Sequence, residues 1–228
     1  MGRDRRARPS RRVHDGEHVG PPCVRRRPAG AGARSGAEAA EDRREIALTR
    51  AAVLAPGYGG TAEQPILRTL VKRLASYGIA SHAVTFRTRG KRPSREYATE
   101  LDDLRAARDV LRAEHDRIAL IGRSFGGRMC AFLAALEPPD ALAILGHPIS
   151  PPDRPRPADE EALQGMRCPT LVVQGERDEL GPLAVLQRIA LVNPLIDLVV
   201  VEGAGHDFGA KESLAIDQVA RWLDATLR

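Results

Sequence analysis

Three residues in the second half of the chain carry side chains suited to attack on an acyl carbon. Ser124 lies in Gly122-Arg123-Ser124-Phe125-Gly126, Asp178 in Gly175-Glu176-Arg177-Asp178-Glu179, and His206 in Gly203-Ala204-Gly205-His206-Asp207. A serine hydroxyl is a weak nucleophile near neutral pH and needs a base within hydrogen-bond reach. That base needs an anion to hold its tautomer and to stabilise the cation it becomes. Serine, imidazole and carboxylate together meet these needs, with Glu176, Glu179 and Asp207 as other carboxylates able to take the third place.

Residues so far apart in sequence must be gathered by the fold, and the sequence around each indicates how. The apolar run Leu120-Ile121 enters Gly122, and Arg128 to Leu136 is a helix-forming stretch, so Ser124 is expected on a tight strand-to-helix turn. A serine there takes a strained backbone, and Gly122 and Gly126 are small enough for strand and helix to approach. The backbone N–H of Phe125, at the helix start, would then face an oxyanion formed at Ser124. A second donor is expected from the loop after the first strand, Ala55-Pro56-Gly57-Tyr58-Gly59-Gly60, with the N–H of Tyr58 or Gly59 as candidates. Gly57 and Gly59 would line the substrate site, and the Tyr58 ring could line an acyl pocket.

From residue 46 onward, short apolar runs alternate with helix-length amphipathic ones. Strands are expected at 51–55, 79–86, 117–122, 141–146, 170–174 and 197–201, and helices at 65–77, about 96–114, 125–136, 182–191 and 211–226. Strands apolar throughout and separated by helices imply a sheet covered on both faces. The expected fold class is therefore α/β, a doubly wound, mostly parallel six-stranded sheet. Ligands bind beyond the carboxyl ends of such strands, where Ser124, Asp178 and His206 all fall. His147 sits at another strand end, and Arg87 opens the basic loop 87–95 on the same edge; both are candidate substrate-binding residues, Arg87 for a carboxylate or phosphate.

Residues 1–45 hold 12 Arg against 7 Asp and Glu, without periodic apolar residues, and are expected to be a disordered Arg-rich tail. Residues 46–228 hold 23 basic and 23 acidic residues, so the folded domain is neutral and no nucleic-acid partner is expected for it. Cys23, Cys130 and Cys168 are an odd number without a C-x-x-C pair, which argues against a disulfide framework and suits a reducing, cytoplasmic setting. No run of residues is long and apolar enough for a membrane span, and His14 and His18 in the tail lack further ligands for a metal site.

The order Ser, then Asp, then His is that of the α/β-hydrolases. Residues 51–228 resemble that superfamily, specifically its small lidless members similar to dienelactone hydrolases. Within these they are most similar to a group that includes a testis-expressed protein and a subunit of a histone acetyltransferase complex. The resemblance rests on Pro56-Gly57-Tyr58-Gly59-Gly60, Gly122-Arg123-Ser124-Phe125-Gly126-Gly127, Gly146-His147-Pro148, Gly175-Glu176-Arg177-Asp178 and Gly205-His206. It implies triad and oxyanion roles for the same residues. Two departures stand out: Pro56 occurs where many relatives have His, and dienelactone hydrolases proper have Cys where this chain has Ser124, which argues against that particular reaction. The stretch from Gly146 to Cys168, which carries a lid in many hydrolases, is short and Pro-rich here, so an open site without a large lid is expected.

The expected activity is hydrolysis of an ester, thioester or related acyl bond of a small-molecule substrate, with no metal or organic cofactor. Two rivals stay open. Gly57-Tyr58-Gly59-Gly60-Thr61-Ala62 fits a G-x-G-x-x-A dinucleotide fingerprint, with Arg87 or Arg89 placed for an NADP phosphate, although Pro65 starts the helix too late for it. The other rival is a noncatalytic interaction protein on a hydrolase fold.

Overall fold

A computed structural model describes residues 48–228, so the expected tail at 1–45, with Cys23, His14 and His18, lies outside the described residues. Six strands form one sheet, β1 (Arg50–Ala55), β2 (Ile79–Ala83), β3 (Arg117–Arg123), β4 (Ala141–Leu145), β5 (Thr170–Gly175) and β6 (Ile196–Val201), in the order β2-β1-β3-β4-β5-β6. Every pairing is parallel, where the sequence predicted mostly parallel strands. The helices are α1 (Pro65–Ala75), α2 (Ala98–Arg112), α3 (Phe125–Leu136), α4 (Pro157–Gln164), α5 (Leu183–Val192) and α6 (Glu212–Thr226).

Alternation along the strands divides the core into two layers. On β1, Ala51, Val53 and Ala55 face the layer that holds Leu104 of α2, Met129 of α3, Leu163 of α4 and Ile189 of α5. Ala52 and Leu54 face the layer that holds Leu67 of α1 and Val219 of α6. Burial on both faces is why β1, β3, β4 and β5 read as unbroken apolar runs rather than as alternating ones. The sheet also winds in opposite senses from its middle, because β2 and β3 flank β1. The loops after β1 and β3 therefore part at that switch point and leave a crevice at the carboxyl edge.

Two element boundaries differ from the sequence expectation. Val84 to Phe86 lies beyond β2 as a loop, with Val84 and Phe86 buried and Thr85 exposed, rather than continuing the strand. The Pro-rich stretch after β4 contains α4, which starts at Pro157, where a missing N–H costs nothing in the first turn.

Candidate active site

The strand β3 ends at Arg123, and α3 begins at Phe125, which leaves one residue for the reversal. That residue is Ser124, with φ 50° and ψ −113°, a backbone conformation that a side chain rarely tolerates. The two flanking glycines permit it. A Cβ built on Gly122 would lie 2.5 Å from the Gly126 carbonyl carbon and closer still to the backbone of Gly127, and one on Gly126 would lie 2.5 Å from the Pro56 carbonyl oxygen. The second approach also draws the loop after β1 against the elbow, which follows from the pairing of Ala55 with Gly122.

The Ser124 hydroxyl donates to His206 Nε2 at 2.8 Å, and His206 Nδ1 donates to Asp178 Oδ2 at 2.8 Å. Asp178 stands in the loop after β5 and His206 in the loop after β6. The backbone at Gly175 abuts Gly205 and Ala204 so tightly that a Cβ would have no room. Asp178 is fully enclosed at its side chain, whereas His206 keeps a quarter of its side chain exposed. Two further donors hold the carboxylate: Gln174 Nε2 to Oδ2 at 2.7 Å and the Leu180 N–H to Oδ1 at 2.9 Å. Of the candidate carboxylates, Asp178 alone meets the imidazole; Glu176 Oε2 instead accepts from the Gly203 N–H.

At the start of α3 the Phe125 ring meets the Tyr58 ring edge-on at a centroid distance of 5.8 Å. The loop after β1 is shaped by Gln64, whose Oε1 accepts from the Gly57 N–H, and by a Gly60 N–H to Gly57 carbonyl bond. Among the described residues the N–H groups of Tyr58 and Gly59 have no such partner. Gly57, Tyr58, Gly59 and Phe125 line one small niche beside the elbow. The larger cleft beside Ser124, about 920 Å³, has Tyr58, Tyr97, Phe125, Pro148 and Leu180 among its uncharged walls.

Two residues taken from the sequence as substrate contacts are placed elsewhere. His147 is completely buried, and its ring nitrogens have no partner among the described residues. Burial, reinforced by Arg128 and Arg156, lowers its pKa to about 3, so it is a neutral core side chain under the site. Arg87 is bound through its backbone N–H and its Nε to Asp103 of α2, and the cleft beside Ser124 is lined by other arginines. The fingerprint at Gly57 to Ala62 does not open into a helix; α1 starts at Pro65.

Sequence reasoning missed several supports. Arg123, inside the elbow motif, is buried; its Nη2 donates to the His206 carbonyl at 2.8 Å, its Nη1 stands 3.2 Å from His206 Nε2, and its guanidinium lies over the Phe208 ring. Burial lowers the Arg123 pKa against the pull of Asp178. Gln174, read as an ordinary strand residue, accepts from the His147 N–H and donates to Asp178 and to the Gly181 carbonyl. Arg128, one helical turn beyond Ser124, makes a buried two-pronged pair with Asp159 of α4. Burial pulls its pKa down, and Asp159 more than offsets this. A signal existed for Arg128 alone: a charge four residues from the serine in an otherwise apolar helix.

Switch-point sheet, strained serine elbow and a Ser-His-Asp chain at the strand ends define an α/β protein of the nucleophile-elbow type. Matching over residues 49–226 makes the identification specific: the chain belongs to the alpha/beta hydrolase domain family. Its fold is similar to that of an alpha-beta serine hydrolase homologue from Coxiella burnetii, with 25% identity and a TM-score of 0.64 over 77% of this chain and 85% of that one. A dienelactone hydrolase from Anabaena variabilis has 22% identity and a TM-score of 0.66 over 80% and 89% of the two chains. A serine hydrolase without a lid from Xanthomonas campestris has 22% identity and a TM-score of 0.65 over 81% and 85%. Among the described residues, no helix is long and apolar enough to cross a membrane.

Proposed function

We propose that the protein is a serine hydrolase acting on an ester, thioester or related acyl bond of a small molecule. The observation that carries this reading is the unbroken hydrogen-bond chain from Ser124 through His206 to Asp178 at the mouth of a cleft. Ser124 Oγ attacks the carbonyl carbon while its proton passes to His206 Nε2, and the N–H groups of Phe125 and Tyr58 hold the oxyanion. Asp178 stabilises the imidazolium. As the tetrahedral species collapses, His206 returns the proton to the departing alcohol or thiol. Water, deprotonated by His206, then releases the acid from the acyl-serine. These side chains and water account for every proton and electron pair, so the reaction draws on no cofactor.

The buried thiols of Cys130 and Cys168 fit a reducing, cytoplasmic setting. The neutral balance of residues 46–228 favours a small-molecule partner over nucleic acid.

A fluorophosphonate probe with peptide mapping tests the reading. Labelling at Ser124 that disappears in Ser124→Ala supports it, together with a loss of at least about a thousandfold in ester hydrolysis, since the triad works as a unit. Folded protein that neither reacts nor turns over any ester would make the chain a noncatalytic member of its family.

A further inference from the structure

The cleft beside Ser124 is unusually cationic for a domain with no net charge. Arg92, Arg128, Arg154 and Arg156 line it, against one carboxylate, Glu96. Arg128 is spoken for, since Asp159 takes its Nε and Nη2, and its guanidinium lies beside the stacked Tyr97 and Phe132 rings, 5.3 and 5.8 Å from their centroids. Glu96 lies 3.3 Å from Arg95. Among the described residues, Arg92, Arg154 and Arg156 have no carboxylate within salt-bridge distance.

Arg156 is the most telling of the three. It is half-buried, and its Nη1 donates to the Pro148 carbonyl, which ties the guanidinium to the loop after β4. Burial lowers its pKa, and Arg128 and Arg154 push the same way, with Asp159 opposing. A half-desolvated cation among other cations costs free energy that an anion would recover. A planar guanidinium with free N–H groups offers the fork geometry that carboxylates and phosphates fit.

The opposite wall is built to stay in place. Glu96 and Tyr97 take left-handed φ values of 54° and 57°. Such strain persists only where neighbours enforce it. Here Ser94 and Thr88 donate to the buried Glu100, and Arg128 Nη2 donates to the Tyr97 hydroxyl at 3.2 Å. Burial pushes the Glu100 carboxyl up, but the hydrogen bonds from Ser94 and Thr88 prevail and hold it below its ordinary range. Tyr97 thus fixes both an aromatic wall and the aim of Arg128.

We propose that this cleft takes acyl substrates bearing a second, anionic group, a carboxylate or a phosphate, which Arg156 binds while Arg154 and Arg92 draw it in from the rim and Ser124 meets the scissile carbonyl. This deepens the hydrolase reading and rests on it. The anionic role that the sequence suggested for Arg87 passes to arginines on the loops at 87–95 and 148–157.

Mono-(4-nitrophenyl) glutarate and 4-nitrophenyl butyrate test this as a pair, read as the ratio of their kcat/KM values at low salt. A charge-assisted contact predicts a ratio of about 10 to 100 in favour of the glutarate ester, carried mainly by KM. The ratio should fall toward one in Arg156→Gln and with rising salt, and hold in Arg68→Gln, which removes an exposed charge on α1. Because Arg156 also braces its loop, the paired variant Arg92→Gln with Arg154→Gln, both exposed, gives an independent reading and should lower the ratio several-fold.

Calorimetric titration of glutarate, and separately of inorganic phosphate, into Ser124→Ala reads the anion site without catalysis. Tighter binding of one assigns the anion as carboxylate or phosphate. Equal turnover of both esters, with neither anion binding, overturns the proposal and leaves the hydrolase reading intact. Binding that is unaltered when Arg156→Gln is added also overturns it. Anion binding that depends on Arg156, without hydrolysis of any ester or labelling of Ser124, would keep the anion site and remove the hydrolase reading.

Discussion

Replacing Gly122 by alanine isolates the space that the elbow requires. The added Cβ would lie 2.5 Å from the Gly126 carbonyl carbon and nearer still to the Gly127 backbone. Carbon atoms rest about 3.5–4.0 Å apart, so strand end and helix start must separate by about 1 Å. No flexible side chain can give way, because the obstructing atoms are backbone. Overpacking of this kind costs about 1–3 kcal/mol, which in a domain of this size lowers Tm by about 2–10 °C. The displacement falls two residues from Ser124, and a misplacement of about 1 Å at a reacting group costs about a hundredfold in rate. The expected result for Gly122→Ala is therefore a folded, slightly destabilised protein whose fluorophosphonate labelling and ester hydrolysis fall by about a hundredfold or more.

Gly205→Ala is the matched control, since a Cβ there meets nothing within 4 Å although it adjoins His206. It should stay within about threefold of the parent in labelling, with stability changed by no more than about 0.5 kcal/mol, as for surface changes. Both variants are compared by calorimetric Tm and second-order labelling rate. Retention of the parent labelling rate by Gly122→Ala, or equal losses in both, would refute the argument that close approach at the elbow positions the serine.

Three further perturbations address the supports of the site. Gln174→Met strands the Gly181 carbonyl and the His147 N–H, each costing about 1–3 kcal/mol when left unpaired, and leaves Asp178 Oδ2 with His206 as its remaining donor; urea unfolding should show a loss of about 2 kcal/mol or more, along with slower labelling. Arg128→Met leaves Asp159 as a lone buried charge and should destabilise by about 3–5 kcal/mol, while adding Asp159→Leu should restore most of that in denaturant midpoints. A double variant no better than the single one would count against a desolvated pair.

His147 predicts a pH dependence of stability. Folded, it is neutral down to about 3, whereas the unfolded chain takes up a proton below 6.5. The stability it protects is therefore present above pH 6.5 and is lost as pH falls from 6.5 toward 3. That loss is about 1.4 kcal/mol per pH unit, or about 2 kcal/mol by pH 5. Urea unfolding at pH 7 and pH 5 should show a drop smaller by that amount in His147→Leu, and equal drops would place the imidazole in contact with solvent.

Much of the site was legible in sequence because its constraints are local. The elbow needs an apolar strand, a glycine on each side of Ser124 and a helix, all within about twenty consecutive residues. Unbroken apolar runs specify buried parallel strands, and parallel strands bring their following loops to one edge, so Ser124, Asp178 and His206 could be read as a group. What tertiary structure alone decided concerns the aim of long polar side chains and the partners they find across the chain. Arg87 is close in sequence to the site, but Asp103 is one helix away and claims it. His147 lies at a strand end, yet it is completely buried, with its backbone held by Gln174 and pressed close to Gly181. Arg123 is fixed by a carbonyl on the His206 loop, Gln174 by an aspartate across a turn, and Arg128 by a carboxylate on a helix that the Pro-rich stretch concealed. Spacing along a chain cannot encode such contacts, because each depends on which desolvated partner the packed fold brings within about 3 Å.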